Sequence, residues 1–242
     1  MGSDFAALGA ALPRILEGML ITLELTVGGA LLAMAIAIGL GLLAGSKNIV
    51  ARGFARAVIE FFRGTSLVVQ LFWLFFVLPL FGVEMPAMLV GILALGLNYG
   101  AYGAEVVRGS LNAVPAGQWE ATVALSLSPM GRLWRVIFPQ AWALMIPSLT
   151  NLLILMLKGT AIVSTITMVD LTVEINKLRV DTDTFFAYGV GLILYFAMAY
   201  ALTLIMNALE VRAKHRLGRG ESLGEALRFR TPTRDPERET AA

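Results

Sequence analysis

The residues best placed to do chemistry are polar side chains that recur at helical spacing within long apolar stretches. Intervals of three, four or seven residues put side chains on one face of a helix. Guanidinium, ammonium and amide groups donate hydrogen bonds to a carboxylate, whereas carboxylate and carbonyl oxygens accept them from an ammonium group. Such stripes therefore suit a small zwitterionic solute. The three stripes are Arg63, Ser66 and Gln70; Asn98, Tyr102 and Glu105; and Ser148, Asn151 and Lys158.

Six residues of these stripes are candidates for lining a solute pathway. Polar side chains that face lipid are costly, so within a membrane they usually face a cavity, a partner helix or one another. The alternative interpretation is that the amides join neighbouring helices, while the charged residues lie near the membrane surfaces and reach toward water. The six candidates are Arg63, Gln70, Asn98, Glu105, Asn151 and Lys158.

Most catalytic and metal-binding chemistry is excluded by composition. The chain has no cysteine, and its one histidine, His215, lies in a basic segment outside the apolar stretches. Thiolate metal sites and a buried serine–histidine pair are therefore not available. No phosphate-binding loop of the form Gly-x-x-x-x-Gly-Lys-Ser/Thr occurs. We predict no catalytic site, no metal or cofactor bound by this chain, and no nucleic-acid partner.

The elements that position these side chains are predicted to be transmembrane helices. Of the 242 residues, 57% are hydrophobic and 15% are charged, against roughly 25% charged in soluble domains. Five stretches of at least 20 residues carry no charge, and about 20 apolar residues suffice to cross a bilayer. The sequence predicts an all-α integral membrane protein with about five spans. They cover roughly 20–45, 58–80, 86–107, 138–158 and 186–210.

Basic residues predict the orientation of the spans. The loop after the first span carries Lys47, Arg52 and Arg56, whereas the next loop, 81–86, carries no Lys or Arg. Short cytoplasmic loops are enriched in Lys and Arg, so the first loop is expected to be cytoplasmic. Alternation then places the N-terminus outside and the C-terminus in the cytoplasm.

The chain is expected to form one membrane domain, residues 1–217, with a tail. Residues 218–242 are rich in Arg, Glu, Thr and Pro and show no apolar periodicity, so we expect a disordered cytoplasmic tail. Small-residue pairs such as Gly41 with Gly45 and Gly96 with Gly100 allow close helix contacts. Those contacts could lie within the subunit or against a partner subunit.

The loop between the third and fourth spans, 111–137, is predicted to form two short helices. Ser128 followed by Pro129 is typical of a helix N-cap with proline at the first helical position. Trp119, Leu125 and Trp134 would give these helices an apolar face. An interfacial amphipathic loop, with Glu120 favoured by the helix dipole, is the alternative interpretation.

This loop resembles the signature of permease subunits of binding-protein-dependent ABC importers, in the polar amino-acid branch. That signature is Glu-Ala-Ala, three residues, Gly, nine residues, Ile, one residue, Leu-Pro. Thr122 replaces alanine and Ser126 replaces glycine, and Val136 and Phe138 stand at the Ile and Leu positions, but the spacing is kept. The matching positions are Glu120, Ala121, Thr122, Ser126, Val136, Phe138 and Pro139.

The resemblance extends over roughly Leu16 to Glu210. It includes the segments Glu60–Ser66, Leu95–Asn98, Gly100–Glu105 and Leu157–Thr160. The last of these, followed by Ile166–Thr172, also looks like permeases for ectoine-type compatible solutes. The resemblance implies a type I importer permease for a polar amino acid or an amino-acid-derived compatible solute.

The resemblance also implies how the chain would work. The signature loop would be a coupling helix that docks on an ATP-binding subunit, through Glu120, Ala121, Thr122, Ser126 and Pro139. The expected partners are two ATP-binding subunits that hold ATP and Mg, a second identical or homologous permease, and an extracytoplasmic solute-binding protein. The expected location is the bacterial inner membrane, with the lipid bilayer as solvent.

Two other classes stay open on the residues alone. An ion-coupled secondary transporter of small zwitterionic solutes would need a coupling carboxylate near the middle of the membrane, and Glu105 lies near the end of a span. A structural membrane protein would also contain helices and polar stripes. The ordered family match favours the importer over both.

Overall fold

The computed structural model describes residues 2–216, which form helices joined by short connecting segments and include no strand. The expected disordered tail, 218–242, lies outside the described residues. The helices are α1 (Gly2–Ala44), α2 (Ile49–Gly64), α3 (Leu67–Phe81), α4 (Ala87–Asn112), α5 (Ala116–Ala124), α6 (Pro129–Ile166), α7 (Leu171–Asp181) and α8 (Thr184–Arg216).

Four of these helices, α1, α4, α6 and α8, are each long and apolar enough to cross a membrane. The bent pair formed by α2 and α3 supplies a fifth crossing if it is counted as one span. The predicted all-α membrane architecture is confirmed. Helix α1 begins well before residue 20, where the first span was expected to start, because a helix continues through polar residues that hydropathy excludes from a span.

The span predicted over 58–80 is not one straight helix. The chain turns by 100° between α2 and α3, where Thr65 and Ser66 adopt extended backbone conformations. Gly64, Thr65 and Ser66 are weak helix formers, and the hydroxyl of Thr65 bonds the carbonyl of Phe61 at 2.8 Å instead of extending the helix. Average hydropathy does not respond to such a bend.

Helices α1 and α4 pack side by side in parallel. Along both helices the residue numbers of the contacting pairs increase in the same direction. Gly28 contacts Ile92, Ile36 contacts Gly100, and Gly41 contacts Val107. A Cβ atom at Gly100 would lie 2.9 Å from the Cβ of Ile36. Glycine at this interface therefore lets the two backbones approach closely, as small residues do between membrane helices.

The parallel pair determines which loops share a side. Since α1 and α4 run in the same direction, α3 must cross back between them. The end of α1, helix α2 and the loop with α5 therefore lie on one side. Helix α6 runs antiparallel to α8, because Trp134 shares a cavity with Leu209 while Lys158 shares another with Tyr195. Helix α7 lies on the opposite side of the domain.

The core is built around α1. Apolar residues of α1 contact α3 and α4 near Leu25 and Ala33, and contact α6, α7 and α8 near Ala11 and Ile15. A third cluster joins Ala37 to the segments on either side of α5. One central helix thus holds the crossing helices in a single domain.

Candidate coupling site and solute pathway

Helix α5 presents a mixed apolar and acidic surface. Glu120 and Ala121 are exposed, and so are the side chains of Trp119, Val123 and Leu125 beside them. Thr122 is only 1% exposed, and its hydroxyl donates to the carbonyl of Trp119 at 2.7 Å. The helix therefore turns Thr122 inward and leaves a carboxylate, a small residue and apolar side chains free to contact another protein.

The C-terminal end of α5 explains the glycine position of the signature. Ser126 has φ of 54°, in the left-handed region that normally favours glycine. The amide of Leu127 donates to the carbonyl of Thr122 at 3.1 Å, and the amide of Ser126 donates to Val123 at 2.9 Å. This pair of bonds is the Schellman motif that ends many helices. Ser126 thus keeps the turn despite its side chain.

One side-chain bond ties α5 to α6, and a second ties the loop after α5 to the start of α6. The amide of Gln140 donates to the Oε1 atom of Gln118 on α5 at 3.0 Å, and the guanidinium of Arg132 donates to the carbonyl of Leu127 at 2.6 Å. Ser128 caps the start of α6 by accepting from the amide of Gly131 at 3.2 Å. Pro139, half-buried, lies one residue before Gln140. Helix α5 and the loop that follows it are therefore joined to α6 by side-chain bonds.

Gln70 and Asn98 hold the bend between α2 and α3. The last carbonyls of a helix lack backbone partners, and in a membrane each unpaired group is costly. The carbonyl of Phe62 accepts from Gln70 at 2.9 Å and from Asn98 at 3.0 Å. Tyr102 donates to the carbonyl of Arg63 at 3.3 Å. In this structure the buried amides satisfy the broken end of α2.

The stripe predicted for Arg63, Ser66 and Gln70 is wrong as a single helical face. The bend puts Arg63 on α2 and Gln70 on α3, so their spacing in sequence no longer gives a common face. The guanidinium of Arg63 lies 5.3 Å from the ring centre of Tyr102. Glu105 pairs with Arg108 of its own helix at 2.6 Å. Both charged candidates therefore have local partners.

The polar stripe of α6 has a different environment. Ser148, Asn151 and Lys158 lie on an exposed face, whereas Leu149, Thr150 and Leu157 on the other side of the helix are buried. Lys158 also lines a cavity of about 440 Å³ between α6 and α8. The polar groups of α8 around this cavity are the hydroxyls of Tyr195, Tyr200 and Thr203.

A buried polar cluster that sequence reasoning did not single out lies at the start of α7. Asp170 is 0% exposed and caps α7 by accepting from the amide of Val173 at 3.1 Å. The hydroxyls of Thr172 and Tyr195 bond each other at 2.8 Å. Burial raises the pKa of the Asp170 carboxyl above its ordinary value. The signal available in the sequence was Asp170 itself, an N-cap residue type directly before the apolar first residue of a helix.

A second buried carboxylate lies one turn along α7. Glu174 is 4% exposed and pairs with Lys177 at 2.6 Å. One oxygen of each carboxylate, Oδ2 of Asp170 and Oε2 of Glu174, is buried without a hydrogen-bond partner. Among residues 2–216 no group of three or more His, Cys, Asp or Glu side chains is placed to hold a metal ion.

Comparison with known proteins identifies the architecture. Residues 37–215 match the family described as binding-protein-dependent transport system inner membrane component. A probable amino-acid ABC transporter permease, y4tF of Sinorhizobium fredii, is 47% identical over 181 residues, which cover 72% of this chain and 75% of that protein. The L-cystine transport system permease TcyB of Bacillus subtilis is 32% identical over 203 residues, covering 83% and 86%.

Solved structures show the same arrangement of helices. A crystal structure of an amino acid ABC transporter with histidines matches with a TM-score of 0.78 and 33% identity, covering 88% of this chain and 100% of that one. The inward-facing MetNI methionine ABC transporter matches with a TM-score of 0.72 at 18% identity, covering 84% and 97%. The second likeness concerns the fold alone. From its family match and its relatives, this chain belongs to the binding-protein-dependent transport system inner membrane components, the permease subunits of ABC importers.

Proposed function

We propose that this chain forms half of the translocation pathway of an importer for a polar amino acid, with Lys158 binding the carboxylate of the solute. As a family member the chain is a membrane permease of an ATP-driven importer, and it is not an enzyme, since ATP is hydrolysed by separate ATP-binding subunits. The observation that carries the assignment of the pathway is the exposed polar face of α6 beside the cavity at Lys158.

The environment of Lys158 supports this role. An ammonium group within a membrane span is costly unless it faces a cavity or a partner. The cavity beside Lys158 is lined mainly by apolar residues, and Tyr195, Tyr200 and Thr203 are the polar residues of α8 that border it. An ammonium group forms charge-assisted hydrogen bonds with a carboxylate. Asn151, two turns before Lys158 on the same face, has both donors and an acceptor for the rest of the solute.

The solute is proposed to be an amino acid on chemical and comparative grounds. The relatives include permeases named for cystine and for glutamine, and both solutes are polar and zwitterionic. Ectoine-type compatible solutes share the carboxylate and a positive charge. They are the second solute class to be tested, and the same site would hold them.

A second permease subunit would complete the pathway. The face of α6 with Ser148, Asn151 and Lys158 is exposed in the single chain, and exposure of these groups to lipid would be unfavourable. An identical or homologous copy that covers this face would enclose a polar channel between two subunits. In this arrangement Gln70 and Asn98 shape the pathway by holding the bend, and Arg63 and Glu105 stay in their local pairs.

The coupling site is proposed to be α5 with the start of α6. Glu120 would form polar contacts in a cleft of an ATP-binding subunit, and Ala121 would permit close packing there. Thr122 and Ser126 would keep α5 in its shape, and Pro139 begins the part of α6 that leads to Lys158. Two ATP-binding subunits, one for each permease, and a solute-binding protein would complete the importer.

The chain is a multi-pass protein of the inner membrane. We propose that α5 and the end of α8 face the cytoplasm, because the loop with Lys47 shares their side and short basic loops stay inside. The N-terminus and α7 would then face outward, toward the solute-binding protein.

Uptake into proteoliposomes tests this function. The chain is reconstituted with the candidate ATP-binding subunit and solute-binding protein, and uptake of labelled amino acids and of ectoine is measured with and without ATP. Lys158→Gln is expected to raise KM about ten- to a hundred-fold, the effect of losing a hydrogen bond to a charged group. Lys158→Arg keeps the charge and should retain most of the affinity.

The coupling site has its own matched control. Glu120→Arg is expected to abolish ATP-dependent uptake and binding of the ATP-binding subunit, whereas Glu84→Arg, a charge reversal at an exposed residue on the opposite side, should leave that binding unchanged. Uptake that needs neither partner would overturn the importer assignment and favour an ion-coupled transporter. Normal uptake by Glu120→Arg would exclude this carboxylate from coupling.

A further inference from the structure

Helix α2 has an apolar face that no other helix within residues 2–216 covers. Val50, Phe54 and Phe61 are 77%, 63% and 60% exposed. At 100° per residue these three side chains lie within about 40° of one another around the helix. Large apolar side chains on one exposed face of a helix mark a contact surface rather than scattered exposure.

The basic residues of α2 lie on nearly the opposite face. Arg52, Arg56 and Arg63 also fall within about 40° of one another, roughly 160° from the apolar stripe. Arg56 is exposed and Arg52 is half-exposed, whereas Arg63 is engaged with Glu60 and with the ring of Tyr102. Arg52 donates one hydrogen bond, to the neutral carbonyl of Ser46 at 3.5 Å, so the guanidinium groups of Arg52 and Arg56 both keep donors for an anion.

The position of α2 puts both faces at a membrane surface. Its buried residues Ala55 and Ile59 contact Ala44 at the end of α1 and Ala104 near the end of α4. Helix α2 also turns by 100° from α3, the other half of the bent pair that can be counted as one span. A helix that is attached beside the ends of two spans and is roughly perpendicular to a third lies along the lipid–water boundary.

We propose that α2 is an interfacial helix that binds anionic phospholipid, with Arg52 and Arg56 on the headgroup phosphates and the Val50–Phe54–Phe61 face in the acyl chains. Helices with a cationic polar face and an aromatic or aliphatic face bind membrane surfaces in this orientation. Lipid is the occupant favoured here because the two faces match its charge and its apolarity in the same place. The inference does not depend on transport or on the solute.

The chain has no cysteine, so one introduced cysteine reports on one position. Full-length Phe54→Cys, carrying a fluorophore, is reconstituted into phosphatidylcholine vesicles that contain a small fraction of brominated phosphatidylglycerol or brominated phosphatidylcholine. Bromine quenches only probes that are in the acyl region. We expect quenching by both lipids and a several-fold preference for the glycerol lipid, since each arginine at an anionic surface contributes roughly a five-fold gain.

Two comparisons test the arginines. In Phe54→Cys with Arg52→Gln and Arg56→Gln the preference for phosphatidylglycerol is expected to disappear while quenching persists. Phe185→Cys is the matched control, because Phe185 is 90% exposed at the start of α8, on the opposite side and two residues from Asp183. It should show no preference for the anionic lipid. Val50→Cys repeats the measurement if the label at residue 54 disturbs insertion.

Three results would overturn the proposal. Absence of quenching by either lipid at residues 50 and 54 would mean that the apolar face is covered by another subunit or lies in water. Equal quenching by the two lipids when Arg52 and Arg56 are both present would mean that α2 does not bind the anionic headgroup. A preference that survives the double arginine replacement would assign it to other basic residues.

Discussion

Replacement of Ser126 by glycine is expected to stabilise the end of α5. Ser126 has φ of 54°, and the left-handed conformation costs a residue with a Cβ roughly 1–2 kcal/mol. Glycine avoids this cost but loses about 0.5–1 kcal/mol of backbone entropy on ordering. The net gain is therefore about 0.5–1 kcal/mol, because the two bonds of the Schellman motif at Thr122 and Val123 are kept.

Hydrogen–deuterium exchange of the full-length chain in detergent measures this gain locally. Amides that exchange through local opening slow in proportion to the free energy of that opening, so 0.5–1 kcal/mol corresponds to about two- to five-fold slower exchange within α5. Ser128→Gly is the matched control, since Ser128 has φ of −63° and its hydroxyl caps α6. That change removes a cap and should not slow exchange anywhere in α5.

The opposite substitution sharpens the test. Ser126→Val places a β-branched side chain at a positive φ, which is a strained combination, and exchange in α5 should become faster. Unchanged or faster exchange in Ser126→Gly would refute the reasoning, because the left-handed turn at this residue would then carry no measurable strain.

Three further predictions concern packing, the bend and pH. Gly103→Ala should lower thermal stability, because the added Cβ would lie 2.8 Å from the Cβ of Ala37. Gly109→Ala is the control: there is open space around Gly109, so alanine should raise stability by up to about 1 kcal/mol through its higher helix propensity. Asn98→Leu should destabilise the domain by about 0.5–1.5 kcal/mol, measured by thermal unfolding, since the carbonyl of Phe62 loses one of its two donors. An unchanged melting temperature would contradict this role. The raised pKa of Asp170 means that its folded form favours the protonated acid, so its contribution to stability is present at low pH and is lost as pH rises through the folded pKa. Asp170→Asn keeps the cap and should flatten the dependence of the melting temperature on pH above the ordinary carboxyl pKa of about 4. A slope equal to that of the native chain would contradict the assignment.

The family assignment and the membrane architecture could be predicted because they depend on the composition of short segments and on the order of motifs along the chain. Charge-free stretches predict helices that cross lipid without reference to their neighbours. The order and spacing from Glu120 to Pro139 identified the family although several signature positions differ, and that identification is confirmed. The pathway and coupling roles of individual residues stay predictions.

The polar stripes were harder to interpret because a hydrogen-bonding side chain reveals its type but not its partner. Gln70 and Asn98 carry the same amide group as Asn151. The first two are buried against the open end of α2, whereas Asn151 is exposed on α6. Nothing in their sequence spacing separates these environments, since the bend after Gly64 creates the unpaired carbonyl that the two amides satisfy.

The sequence by itself determined that the chain lies in lipid, the approximate number of spans and the family. Hydropathy and the order of motifs can be obtained along the chain without knowing which distant segments are in contact. Only the tertiary structure decided that α1 and α4 run in parallel, that α2 and α3 meet at a 100° bend, and that Asp170 is buried. These features depend on which distant segments meet. Close approach at glycines such as Gly100, and the need to pair every carbonyl in lipid, select that arrangement.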